Sequence, residues 1–142
     1  MKRTFILLSL AFLTVLTAVS CKDKNKENDP LRSTTWSAYD GDNLMVLKFD
    51  LGTIATFYIG NSNLERVGAA SVSPYTLTDN TRISFTDLNG SYENERYRFK
   101  TGTLDGDAME IRYDRWTFAG GQDGEKEHKQ AVFRKKTEPK KK

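Results

Sequence analysis

Two patterns of hydrophobic positions divide this chain. From Phe5 to Val19 the residues are apolar almost without a break, interrupted only by Ser9, Thr14 and Thr17. From Thr34 onward apolar and polar residues alternate instead, the period of a strand that buries one face. No stripe at helical spacing competes with it. The alternation predicts ten short strands, at 34–39, 44–50, 53–59, 67–73, 75–78, 82–88, 92–100, 108–113, 115–118 and 130–134. Turn chemistry separates nearly all of them: Asp40-Gly41-Asp42-Asn43, Asp50-Leu51-Gly52, Asp79-Asn80, Asn89-Gly90, Asp105-Gly106-Asp107 and Gly120-Gly121-Gln122-Asp123-Gly124. Asn89-Gly90 is the strongest hairpin signal, because both residues accept the positive φ of a tight turn. Strands joined in sequence by hairpins form an antiparallel meander, and closure removes its exposed edges. The expected fold is all-β, a small barrel of about eight strands.

The parity of each strand names its inner face. Met45, Leu47 and Phe49 oppose Val46, Lys48 and Asp50; Tyr97 and Phe99 oppose Arg96, Arg98 and Lys100; Met109, Ile111 and Tyr113 oppose Glu110 and Arg112. The first set of each is expected inside, joined by Ile83, Phe85, Trp116, Phe118 and Phe133.

The N-terminal run has a different purpose. Met1-Lys2-Arg3 is basic, the run is shorter than the roughly 20 residues of a membrane span, and charged residues follow at once. That layout is a secretory signal. It ends Leu16-Thr17-Ala18-Val19-Ser20-Cys21, which resembles the lipobox of bacterial lipoproteins, although Ala18 stands where leucine is most usual. The resemblance implies cleavage between Ser20 and Cys21, a diacylglycerol on the Cys21 sulfur and acylation of the new amine. Ala18 and Ser20 also suit ordinary signal cleavage, which would leave a soluble chain with a free thiol. Cys21 is the only cysteine, with no disulfide partner, and an exported free thiol is anomalous. That favours the lipid. Lys22, where inner-membrane retention is associated with aspartate, implies sorting to the outer membrane.

The remainder divides into a tether at 21–29, a domain at 30–134 and a basic tail at 135–142, the tether and tail holding no hydrophobe beyond Cys21. Although the whole chain carries a net charge of +3, the domain holds twelve basic and fifteen acidic residues. An acidic domain exported to the envelope is wrong for nucleic acid. The expected partners are the membrane, through the lipid on Cys21, and a small apolar ligand or an envelope protein.

Over most of the domain the chain resembles the small lipocalin-like lipoproteins of Gram-negative envelopes. The resemblance rests on Trp36 in the first strand, on Leu47-Lys48-Phe49-Asp50-Leu51-Gly52-Thr53 as a strand-turn-strand unit, on the hairpin Leu104 to Ile111, and on Phe133-Arg134-Lys135 in the last strand. Thr34 stands where lipocalins carry glycine, and their C-terminal helix is missing. The resemblance implies that Arg134 covers the Trp36 indole. Trp36, Leu47, Phe57, Phe85, Tyr97 and Phe99, large residues on inner faces, are the candidate lining of a ligand cavity.

Chemistry is sparse. His128, the only histidine, lies in a charged segment with no apolar wall and reads as a solvated side chain. Asp40/Asp42, Glu93/Glu95 and Asp105/Asp107 are carboxylate pairs; two of them bracket a turn glycine and read as turn caps. Asn89-Gly90-Ser91 matches a glycosylation sequon that the hairpin already explains. No catalytic residue, metal ligand or cofactor is assigned. Three functional classes remain: a binding module holding a small apolar ligand or an envelope partner, a filled-core structural or inhibitory protein acting through its loops, and a hydrolase using the acidic pairs.

Overall fold

The alternation folds as nine antiparallel strands: β1 (Thr34–Asp40), β2 (Asn43–Phe49), β3 (Ile54–Gly60), β4 (Ser71–Thr78), β5 (Arg82–Tyr92), β6 (Glu95–Asp105), β7 (Ala108–Ala119), β8 (Gln122–Asp123) and β9 (Glu127–Lys136). The computed structural model describes residues 29–50 and 52–137; the expected signal segment with Ser20 and Cys21, most of the expected tether, Leu51 and the last five residues lie outside the described residues. Strands β1 to β7 pair in sequence, and β9 pairs with both β7 and β1. Eight strands thus close into a barrel, and two-residue β8 is an addition to β7. The expected all-β meander and its closure are both present, with no helix among the described residues.

Closure gives the barrel two ends. The chain enters β1 and leaves β9 at one, the base, where Thr35 pairs with Lys136. The β1–β2, β3–β4, β5–β6 and β7–β9 connections share the other, the loop end. Leu31 is fully buried and belongs to the core, tucked in by a turn in which the Thr34 amide and hydroxyl both donate to its carbonyl.

Where strands differ from the pattern, packing explains it. Asn89-Gly90 is not a turn: β5 continues to Tyr92, Asn89 pairs with Arg98 and Gly90 with Tyr97, and the hairpin falls at Glu93-Asn94. Gly90 is needed for space, because a Cβ there would lie 2.1 Å from the Phe57 ring. Gly90→Ala is therefore expected to cost about 1–3 kcal/mol in urea denaturation through overpacking, and less in a Phe57→Leu background.

β4 runs through Pro74 as one strand. Ser71 to Pro74 pair with β3 and Tyr75 to Thr78 with β5, so Pro74 sits where the ladder changes sides and its missing N–H breaks nothing. Predicted strands 108–113 and 115–118 are likewise the single β7. Bulges between Ser84 and Leu88 in β5 and between Phe99 and Thr101 in β6 shift the inward parity, so that Leu88 and Leu104 turn inside. Trp116 and Phe118 are on the outer face of β7, not inside, under Arg98 and Arg96 respectively.

A second, external cluster forms on β2 and β3. Leu44, Val46 and Tyr58 are buried beneath the β3–β4 connection, packed with Leu64 and Ala70. Predicted strand 67–73 therefore begins only at Ser71. Asn61 organises the strap: its Oδ1 accepts from the amides of Asn63 (2.9 Å) and Glu65 (3.0 Å), and Tyr58 donates to the Leu64 carbonyl (2.7 Å).

Candidate functional site

Inward-facing positions near the loop end are polar, unlike those deeper in the barrel. Asp40 ends β1, Asn43 begins β2, Glu95 and Tyr97 begin β6, Tyr113 and Arg115 lie in β7, and Lys129 lies in β9. Closure brings all seven into the barrel mouth. The Asp40 carboxylate is the centre: Oδ1 accepts from Lys129 Nζ (2.6 Å) and Arg115 Nη1 (2.8 Å), and Oδ2 from the Tyr113 hydroxyl (2.8 Å). Arg115 Nε also donates to Glu95 (2.9 Å), its guanidinium lies 5.9 Å from the Tyr97 ring centroid, and Asn43 donates to the Tyr97 hydroxyl (3.0 Å).

Burial alone would push the Asp40 pKa up. Hydrogen bonds from Lys129 and Tyr113, with the charges of Arg115 and Lys129, outweigh it and hold the carboxyl below its ordinary value. Its effect on the neighbours is reciprocal. Burial and the bond to Asp40 raise the Tyr113 pKa, so the phenol remains a donor, while Glu95 and then Asp40 raise that of Arg115. Two acids and two bases make the cluster neutral, and no buried side-chain nitrogen or oxygen lacks a partner among the described residues. What this arrangement does is fix β1, β6, β7 and β9 to one another across the mouth. The acidic pairs thus divide: Asp40 and Glu95 are ion-paired members of the cluster, whereas Asp42, Asp105 and Asp107 are exposed at turns.

His128 is in β9 rather than a loop. Although 79% exposed, it lies with Nδ1 2.6 Å from Asp114 Oδ1, and Lys100 reaches the other oxygen at 3.0 Å. These two partners outweigh burial and lower the Asp114 pKa. Among the described residues no group of three or more His, Cys, Asp or Glu is placed to hold a metal ion.

Trp36, Leu47, Phe57, Phe85, Tyr97 and Phe99 all lie in the interior core. Phe57 packs on Phe99 (4.6 Å between ring centroids) and on Tyr97 (5.4 Å), and Phe99 reaches Phe85 (6.3 Å) and Tyr113 (5.5 Å). The Trp36 indole donates to Thr34 (2.8 Å). Arg134 does not cover it: Arg134 pairs with Ser37 and takes the outer face, while Lys135 stands opposite Trp36. A one-residue step along a strand reverses the face.

Comparison with protein-family models, with curated proteins and with solved structures finds no match. The site therefore speaks through its geometry alone. Two open depressions lie among the described residues, one at the loop end and one along the outside of the barrel. One, of about 210 Å³, is lined by Glu95, Arg115, Trp116, Thr117, Glu125 and Glu127. The other, of about 390 Å³, runs outside β1 and β9 between exposed Tyr39 and Val132, under Ser62 and Leu64 of the strap.

Sequence reasoning missed the mouth cluster. Its members are far apart in the chain, Asp40 and Lys129 by 89 positions. The available signal was an inward parity for Asp40, Arg115 and Lys129, polar residues where alternation called for apolar ones.

Proposed function

We propose that this chain is a lipoprotein of the bacterial cell envelope, cleaved after Ser20, acylated on Cys21 and held at the outer membrane. Its lipocalin-like barrel serves as a rigid, non-enzymatic platform that presents the loop end to an envelope protein. The observation that carries this reading is the interlocked interior: the rings at the centre of the barrel touch one another where a ligand would sit. A neutral, fully partnered mouth supports it as well, since nothing there calls for a charged ligand. The loops nearest Asn61 and Gln122 then carry the recognition, at the end opposite to where the chain enters.

Two measurements test the two halves. In cells fed a clickable fatty acid, the wild-type chain is expected to be labelled and Cys21→Ala unlabelled; equal labelling removes the anchor. A photo-crosslinking residue at Ser62 or Gln122 is expected to give a discrete adduct that one at Asp79, at the base, does not. Identical patterns at both ends remove the assignment of recognition to the loop end.

A further inference from the structure

The barrel is laddered along only part of one seam. β1 and β9 pair at Thr35, Trp36 and Ser37 and no further, although β1 runs on to Asp40 and β9 begins at Glu127. On their other sides both strands are paired along this stretch, β1 with β2 as far as Asp40 opposite Asn43, and β9 with β7 as far as Glu127 opposite Arg115. The main chains of 38–40 and 129–133 therefore face one another across the seam without a ladder partner. On the inner side Lys129 bridges the gap to Asp40. On the outer side the seam lies in the floor of the groove of about 390 Å³, so that Ala38, inward by parity and packed on the core, lines that groove as well.

The walls of the groove divide by chemistry. Tyr39 and Val132, two of the four large exposed hydrophobics among the described residues, stand with Leu44 and Leu64 toward the loop end, while Arg134 and Lys136 stand toward the base. Neither cation has an ion-pair partner among the described residues, and no carboxylate lines the groove; Glu110, opposite Val132, is on the β7 side, away from β1. Val132, Arg134 and Lys136 alternate along β9, so one apolar position is followed by two positive ones at intervals of about 7 Å, the spacing of every second residue in an extended chain.

We propose that this groove receives an extended segment of the partner protein, with an apolar side chain between Tyr39 and Val132 and acidic side chains two and four residues away against Arg134 and Lys136. The proposal rests on the reading that the loop end recognises an envelope protein, and it names the chemistry that is recognised. Unpaired main chain favours a peptide over an acyl chain, because its N–H and C=O groups bond to another backbone and not to a hydrocarbon; the apolar walls and the two cations then select the sequence.

The test is a titration of the backbone-amide chemical shifts of the chain from Lys22 to Lys142, which contains the whole closed barrel. The probes are the synthetic peptide Ser-Ile-Thr-Glu-Thr-Glu-Ser and its reverse, which cover both directions of an added strand. One of them is expected to give saturable shifts at 37–39, 44, 62–64 and 132–136, and none at Asp79 at the base. The same peptide with lysine for glutamate, or with serine for isoleucine, is expected to bind at least about tenfold more weakly. Charge reversal is sharper: Arg134→Glu with Lys136→Glu, both exposed, is expected to lose the glutamate peptide and gain the lysine one. Shifts that ignore peptide charge, that fall outside the groove, or that saturate with dodecanoate and with neither peptide overturn the proposal. So do shifts that follow protein concentration alone, which assign the groove to a second copy of the chain. In cells, a discrete crosslink from Ser62 that survives the charge reversal leaves recognition at the loop end and removes the groove from it. Charge-dependent peptide binding without any loop-end crosslink keeps the groove and removes the loop-end reading instead.

Discussion

Phe49→Asp is expected to unfold the barrel. Phe49 has no exposed surface, its ring meets Tyr75 edge-on at 5.0 Å and lies 6.4 Å from Phe85, and its strand is paired on both sides. A carboxylate there would be desolvated among aromatic rings, so the cost exceeds about 4 kcal/mol, a large share of a small domain's stability. Lys48→Leu, one residue earlier on the outer face, is the control. It gives up a contact over the Tyr58 ring at 5.9 Å and is expected to change stability by less than about 1 kcal/mol. Urea denaturation followed by tryptophan emission separates the two, and equal effects would mean that the inward parity of β2 is misassigned.

Asp40→Ala has the second largest expected effect. It strips the mouth cluster of its central acceptor and leaves Lys129 and Arg115 facing each other and the unpartnered Tyr113 hydroxyl. Breaking a fully buried pair costs about 3–5 kcal/mol; these two cations keep 31% and 21% of their side-chain surface in water, so about 2–3 kcal/mol is expected. A pH dependence follows. The folded pKa of Asp40 lies below its ordinary 3.8, so its contribution is complete above that value and is lost as the pH falls through the lower, folded one. Denaturation midpoints of wild type and Asp40→Ala are expected to converge below about pH 4, with Asp114 adding an acid-labile component common to both. A gap that stays constant down to pH 2 would show that the carboxylate is not the source of the difference.

The fold was legible in the sequence because period-two alternation and turn residues are local. Parity alone places Leu47, Phe85, Tyr97 and Phe99 inside, and the structure has them there. What the sequence hid was set by contacts between distant strands. Asn89-Gly90 has the composition of a hairpin, yet Phe57 of β3 requires the glycine inside β5. Parity turns Val46 outward, and there the β3–β4 strap buries it in a second cluster. Two short strands would put Trp116 and Phe118 inside; β7 instead continues unbroken, with Tyr113 and Arg115 facing in and the two aromatics facing out under Arg98 and Arg96. The mouth cluster was invisible for the same reason: Asp40 reads as a turn residue until β9 brings Lys129 to it. Cys21, by contrast, is proposed from a local resemblance to a lipobox and lies outside the described residues.

The proposed function requires that side chains fill the barrel. The most direct measurement is to extract the purified domain with organic solvent, then titrate it with a panel of apolar probes while following the emission of Trp36 and Trp116. The filled interior predicts no co-purified molecule and no saturable change. A saturable change, abolished in a Phe57→Ala or Phe85→Ala variant that remains folded, would contradict it and restore the cavity lined by Trp36, Leu47, Phe57, Phe85, Tyr97 and Phe99.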